Sequence, residues 1–306
     1  MAIIILGTMA FDAIETPFGK TEKVIGGSAT YAAYAASHLT HPLQQISIVG
    51  EDFPIQELTD LKNRGVQLDG VEIVNGKKSF FWSGKYHLDM NARDTLVTDL
   101  NVLADFNPKV PDSYQDADYL MLGNVMPSLQ LSVIHQLKKR PKLVVMDTMN
   151  YWMETAMDDL KKVLKKVDVL MINDSEARQL SGDYSLVKSA KSILEMGPSY
   201  LVIKKGEHGA LLFDKDSVFF APALPLEDVF DPTGAGDTFA GGFIGHLAQT
   251  GDISFESMKT AIIYGSALAS FCVEKFGPLM LKEIDNRDIQ NRLDKFVQLV
   301  NFDLKF

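Results

Sequence analysis

A chain of 306 residues with 30 Lys and Arg against 40 Asp and Glu carries a formal charge of −10. That balance, with no basic run longer than Lys138-Lys139-Arg140, argues against nucleic acid as a partner. At 46% hydrophobic and 23% charged residues the chain can bury a core unaided, and its single cysteine, Cys272, permits no intrachain disulfide, as suits the cytoplasm.

Residues 2–6 are apolar but too few to cross a membrane, and they read as a buried first strand. Gly26-Gly27-Ser28 then opens a helix over 29–39, followed by a strand at 45–49 and a helix at 55–64. From 70 to 100 only strand-like runs occur, at 71–74, 79–86 and 95–98, with turn residues between them. These runs and residues 12–24 are expected to form a small separate sheet, a lid inserted into one domain spanning 1–306. An antiparallel extension of the main sheet is the competing reading. Strands at 119–122, 143–146, 167–172 and 200–203 alternate with helices at 129–139, 157–165 and 186–196. The rhythm predicts an α/β fold with a doubly wound, mostly parallel sheet between helical layers. A hairpin (210–213 and 217–221) and helices at 235–249, 255–275 and 285–299 complete the chain.

The chemistry concentrates at Asp231-Pro232-Thr233-Gly234-Ala235-Gly236-Asp237. Gly-Ala-Gly at a helix start leaves backbone N–H groups uncovered, so the N–H groups of Gly234, Ala235 and Gly236 can receive an anion. Asp237, one turn in, is either a first-turn carboxylate that favours the helix dipole or a general base beside the anion. A proton acceptor next to an anion cradle is what phosphoryl transfer to a hydroxyl requires. The chain shows neither a P-loop, since Ile14 stands where the glycine ahead of Gly19-Lys20-Thr21 is required, nor a dinucleotide fingerprint, since Phe239 stands where Gly or Ala is required after Gly234 and Gly236. Gly241 and Gly242 lie inside the same helix at a cost of about 1 kcal/mol each, which points to a close backbone neighbour.

Residues 231–243 resemble the C-terminal signature of the ribokinase-like (PfkB-type) carbohydrate kinases. Gly26-Gly27-Ser28-Ala29 resembles the N-terminal signature, and Asn173-Asp174-Ser175-Glu176 the family's N-x-x-E motif. The resemblance implies a ribokinase-like three-layer fold and ATP-dependent, Mg²⁺-requiring phosphorylation of a sugar or sugar-like alcohol. It implies Asp237 as the base and Asn173 and Glu176 as a Mg²⁺ site acting through water. It implies Asp12, Gly26 and Gly27 around the substrate, and Lys204, Gly206, Gly209, Thr233, Ala267 and Gly277 along ATP. Asp231 and Thr233 match positions that bind a monovalent cation such as K⁺ in some members.

Plainer readings stand beside these. Asn173 and Glu176 also form a capping-box pattern, and Gly206 and Gly209 also suit a hairpin turn. Tyr31 stands where many members have an asparagine that reads sugar hydroxyls, so it is expected to read a different pattern. Asn124, Asp147 and Asn150 follow strand ends, where pockets of such sheets gather, and are secondary substrate candidates. Phe80, Phe81 and Trp82 pack the lid, cap a substrate or form a homodimer seam. A nucleoside kinase with the same machinery is the alternative enzyme, with the aromatics stacking on a base. A ligand sensor on the same fold would need no base. No membrane partner is expected.

Overall fold

Short Val/Ile/Leu/Met runs with no polar alternation have two faces to bury, and here they pair side by side under helices on both sides. The structure is a computed structural model that describes residues 1–301. In chain order it runs β1 (Ile3–Leu6), β2 (Ala10–Thr16), β3 (Gly19–Gly26), α1 (Ser28–Ser37), β4 (Leu43–Gly50), α2 (Ile55–Asn63), β5 (Val66–Val74), β6 (Phe80–Tyr86) and β7 (Arg93–Asp99). Then follow β8 (Tyr119–Leu122), α3 (Pro127–Gln136), β9 (Leu143–Asp147), α4 (Asn150–Thr155), α5 (Met157–Leu164), β10 (Val169–Asn173), α6 (Asp174–Ser181), α7 (Leu186–Leu194) and β11 (Tyr200–Lys204). The hairpin β12 (Ala210–Phe213) and β13 (Val218–Ala221) precedes α8 (Ala235–Thr250), α9 (Phe255–Cys272), α10 (Leu279–Glu283) and α11 (Asn286–Val300).

The large sheet has the order β13-β12-β11-β10-β9-β8-β1-β4-β5, parallel from β11 to β5 and antiparallel at β12 and β13. The chain winds outward from β1 through β4 to β5, then from β8 to β11 on the other side. The carboxyl ends of β1 and β8 therefore form the switch point where such sheets bind ligands. Alternate residues of each strand feed two apolar layers, one containing Ile3 and Ile5 with α1, α8 and α9, the other containing Ile4 and Leu6 with α5, α6 and α7.

The second sheet has the order β3-β2-β6-β7 and is mixed, because β2 and β6 run parallel while the outer pairs are antiparallel. Residues 71–74 do not belong to it. They extend β5, which pairs parallel with β4 at the edge of the large sheet. An edge strand half in solvent alternates polar and apolar residues, and Gln67, Asp69 and Glu72 give β5 the pattern of a small-sheet strand. Three short helices, α4, α6 and α10, also escape the periodicity reading, since each is too short to show a stripe. No helix among the described residues is long and apolar enough to cross a membrane.

The glycines inside α8 mark where helices touch. A Cβ on Gly241 would lie 2.4 Å from the Ala32 carbonyl oxygen and 2.7 Å from the Ala32 Cα of α1. On Gly242 it would lie 3.0 Å from Gly265 Cα of α9. Alanine has the better helix propensity, yet Gly241→Ala is expected to destabilise by about 1–3 kcal/mol because backbone must move. A urea midpoint at or above that of the wild type would refute the close-packing explanation.

Candidate active site

The loop before α8 is built on one buried carboxylate. Asp231 accepts the Thr233 N–H (2.8 Å) on one oxygen and the Gly277 N–H (3.0 Å) on the other. Gly234 then takes φ +75°, and a Cβ there would strike the Tyr31 ring at 2.4 Å, so the position needs glycine twice over. Its dihedrals suit the third residue of a type II turn, which the Ala235 N–H closes by donating to the Pro232 carbonyl (3.2 Å). That bond corrects one expectation. Ala235 spends its amide inside the turn, and the N–H groups without a backbone acceptor here are those of Gly234, Gly236 and Asp237.

Asp237 is part-buried at the start of α8. Burial, then the negative charge of Asp147, pushes its carboxyl up to about 7, against the pull of Lys204 and Arg93. Lys204 and Asp147, expected at ATP and at the substrate respectively, instead meet. The Lys204 ammonium donates to Asp147 Oδ2 at 2.6 Å, with side-chain exposures of 17% and 9%. Its Nζ lies 3.0 Å from where a Cβ on Gly236 would stand, against the anion loop. Two strand ends flanking β10 bring the pair together. Asp147 is thus the partner of Lys204 in this structure.

Asn173 and Glu176 form a full capping box. Asn173 Oδ1 accepts the Glu176 N–H, and Glu176 Oε2 accepts the Asn173 N–H, both at 2.8 Å. Burial, then Asp147, raises Glu176 to about 7. Glu176 and Asp237 thus answer to the same charge.

Asp12 lies across the cleft on β2, buried and raised to about 8 by burial, then by Asp231 and Asp237. A Cβ on Gly26 would fall 1.9 Å from Asp12 Oδ2, so glycine leaves that carboxylate its room. Gly27, at φ +95°, brings the start of α1 onto the Thr8 carbonyl. Paired bonds from the Ser28 N–H to Thr8 Oγ1 (3.0 Å) and from the Thr8 N–H to Ser28 Oγ (3.1 Å) fix the segment.

The other expected residues divide. Tyr31 is 1% exposed, its ring beneath Gly234 and its hydroxyl without a partner. It supports the anion loop from below, since a ring at this position of α1 fills the space there, and it presents nothing to an open cleft. Asn124 accepts the Trp152 indole N–H (2.8 Å) and lies beside Met149, tying the end of β8 to α4. Asn150 is exposed at the start of α4. Gly206 (φ +55°) and Gly209 (φ +85°) shape the turn after β11, and a cavity of about 480 Å³ lined by Lys205, Glu207, His208, Phe220, Pro222 and Ala223 flanks it. Ala267 is wholly buried on the core face of α9 and offers a ligand no surface. Gly277 serves Asp231.

Sequence reading missed Tyr86 and its bond to the anion loop. Thr233 Oγ1 donates to the Tyr86 hydroxyl (3.1 Å), joining the end of β6 to the anion loop. Burial raises Tyr86 to about 12, so that hydroxyl stays protonated. Asp12 and Trp82 are register partners on β2 and β6 and so share a face. The Trp82 ring lies over Gly84, where a Cβ would come within 2.1 Å of it.

The comparisons with known proteins bear on the family and the fold. The pfkB family carbohydrate kinase model matches residues 4–283. The chain is 28% identical over 252 residues to a cytidine kinase of Thermococcus kodakarensis, covering 79% of this chain and 87% of that one. It is 24% identical to a nucleoside kinase of Methanothermobacter thermautotrophicus, covering 90% of each. Among solved structures, Burkholderia thailandensis nucleoside kinase in complex with inosine has a TM-score of 0.77 at 20% identity, covering 97% of both chains. Ribokinase of Thermotoga maritima has 0.74 at 18% identity, covering 96% of this chain and 99% of that one.

Proposed function

Since the chain belongs to the pfkB family of carbohydrate kinases, and is on that footing an ATP-dependent kinase of a sugar or nucleoside, we propose that Asp237 is the general base of the transfer and that the acceptor is the sugar hydroxyl of a nucleoside. One observation carries the reading: Asp237 stands in the same helical turn as the free N–H groups of Gly234 and Gly236. Asp12 accepts hydrogen bonds from sugar hydroxyls and holds the acceptor against Gly26-Gly27. Asp237 takes the proton of the attacking hydroxyl, whose oxygen bonds to the γ-phosphorus as the bond to ADP breaks. The loop amides stabilise the charge that gathers on the phosphoryl oxygens. ATP lies along the turn 205–209 and its cavity, and the small sheet acts as a lid that excludes water.

Asp147, Glu176 and Asp237 outnumber the cations Lys204 and Arg93 that temper them. No group of three ligands forms a cage among the described residues. This donor set suits Mg²⁺, which takes one or two carboxylates and completes its shell with phosphates and water. Glu176, oriented by Asn173, would hold it. When bound, the ion neutralises phosphate charge. Glu176→Gln is expected to raise the Mg²⁺ concentration for half-maximal activity by about tenfold. An unchanged Mg²⁺ titration removes Glu176 from that role. Asp231, with both oxygens on backbone amides, is assigned to pinning the loop and not to a monovalent cation.

The nucleoside reading rests on Trp82 beside Asp12, a flat apolar surface fit for a base, and on kinship to a cytidine kinase and a nucleoside kinase. Free sugars are the second reading, favoured by the ribokinase fold match. ADP release over a panel of nucleosides and sugars separates them. A nucleoside ahead of every sugar by about tenfold in kcat/KM supports the first. A free sugar in the lead overturns it.

A further inference from the structure

A helix as short as α10 has no apolar stripe to set its register, and side chains from two other helices set it instead. The Arg64 Nη2, just past the end of α2, donates to the Lys282 carbonyl at 2.6 Å. The His38 Nε2, just past the end of α1, donates to the Leu281 carbonyl at 2.8 Å. A carbonyl only accepts, so that ring nitrogen carries its proton here. Both bonds satisfy carbonyls that a helix end leaves without partners. Glu57, in the first turn of α2 and 5% exposed, completes the clasp. Its Oε1 accepts the Tyr34 hydroxyl of α1 (2.6 Å), and its Oε2 accepts the Lys282 ammonium of α10. One carboxylate therefore joins three helices.

Both sides of the clasp lead to the anion loop. On α1, Tyr31 lies one turn before Tyr34, with its ring beneath Gly234. Before α10, the Gly277 N–H donates to Asp231 Oδ2 (3.0 Å), and the Val273 carbonyl accepts the N–H groups of Phe230 (2.8 Å) and Asp231 (3.3 Å). The segment between α9 and α10 thus grips Asp231 by main chain and side chain, and α10 anchors that segment. Among the described residues the Lys282 ammonium meets only Glu57 and, at 3.9 Å, Asp60. Its side chain is 22% exposed and that of Glu57 6%. Taking such a pair out of water is costly, and apolar side chains would hold α10 at least as firmly. What the pair adds is a fixed direction, because the carboxylate is already aimed by Tyr34.

We propose that Lys282 is a positioning residue for the transfer: through Glu57 it sets the place of α10, and through Gly277 and Asp231 it holds the amides of Gly234 and Gly236 where the phosphoryl group needs them. This rests on the kinase reading above. Lys282 touches neither substrate nor ATP in this scheme, moves no proton and forms no bond with them. Its effect is on the geometry of the amide cradle, which counts most when charge gathers on the phosphoryl oxygens.

Lys282→Met alone strands the Glu57 carboxylate, so the decisive protein is the double variant Glu57→Gln with Lys282→Met. It carries no charge at either position, and glutamine still accepts the Tyr34 hydroxyl. At saturating ATP and acceptor its kcat is expected to fall by about tenfold, with both KM values within about threefold of wild type and an unchanged melting temperature. Lys282→Arg, which keeps the charge and the reach to Glu57, should stay within about threefold of wild-type kcat. A double variant with kcat within about threefold of wild type overturns the proposal, as does a loss confined to KM. A double variant that melts well below the wild type also overturns it, because Lys282 then serves stability. If the wild type itself phosphorylates no acceptor with ATP, the kinase reading fails instead, and the two failures are distinct.

Discussion

Asp237→Asn is expected to lower kcat by about 10³-fold while ATP still binds. Asparagine matches aspartate in size and can sit in the first turn of α8, but it cannot accept the hydroxyl proton. The loop amides of Gly234 and Gly236 remain, so residual transfer measures what the cradle achieves alone. Retention of kcat within about tenfold removes the base assignment. Burial, then Asp147, holds Asp237 at about 7. A base must be ionised to act, so wild-type kcat/KM should fall as pH drops through that value, and the variant should lack this limb. Stability should move the other way. A folded pKa above the ordinary 3.8 means the native state is penalised increasingly as pH rises from about 4 toward 7 and stays penalised above. Asparagine carries no such charge. The variant is therefore expected to melt above the wild type at about pH 8, with the gap closing toward about pH 4. A variant that melts lower at the alkaline end would show that Lys204 and Arg93 already outweigh the burial.

What could be read from the sequence divides by the distance over which each feature is encoded. Gly234-Ala235-Gly236-Asp237 declares itself locally, because amides at a helix start and a carboxylate one turn in need nothing else to be recognised. The Asn173–Glu176 capping box is local in the same way, and the structure holds both of its bonds. The alternation of apolar runs and amphipathic helices sufficed for the parallel sheet. Gly241 and Gly242 advertised a close neighbour, though only the fold says that it is Ala32 on α1 and Gly265 on α9.

Features that escaped are those fixed by tertiary pairing. Asp147 and Lys204 are 57 residues apart and meet because β9 and β11 flank β10 and end at the same edge. No spacing rule contains that. Tyr31 looked like a reader of hydroxyls because it replaces an asparagine, but its ring fits beneath Gly234 and packing decides its place. Residues 71–74 carry an edge pattern that either sheet accepts, and the register with β4 chose between them. Tyr86 lies in a strand whose composition is ordinary, and its bond to Thr233 comes from where the second sheet folds back.

Lys204→Met is expected to have the largest combined effect, about 3–5 kcal/mol of stability and about 100-fold or more in kcat. Lys204 stays charged because, although burial opposes it, Asp147 holds it above the usual ammonium range. Methionine fills similar volume and carries nothing, so Asp147, with a side chain 9% exposed, is left as an unpaired buried carboxylate. Asp237 loses one of the two cations that restrain its rise, and the acid limb of the rate profile should move to higher pH. Adding Asp147→Asn to Lys204→Met separates the two consequences. The double variant is neutral at both positions and leaves no orphan charge, so most of the lost stability should return, whereas the cation beside Gly236 is still missing and kcat should stay low. If kcat returns with stability, Lys204 serves only to neutralise Asp147. If the single variant unfolds at the same urea concentration as the wild type, the two side chains are not paired in solution. Lysine at the end of β11 is thus expected to serve two physically separate ends, and the double variant tests one without the other.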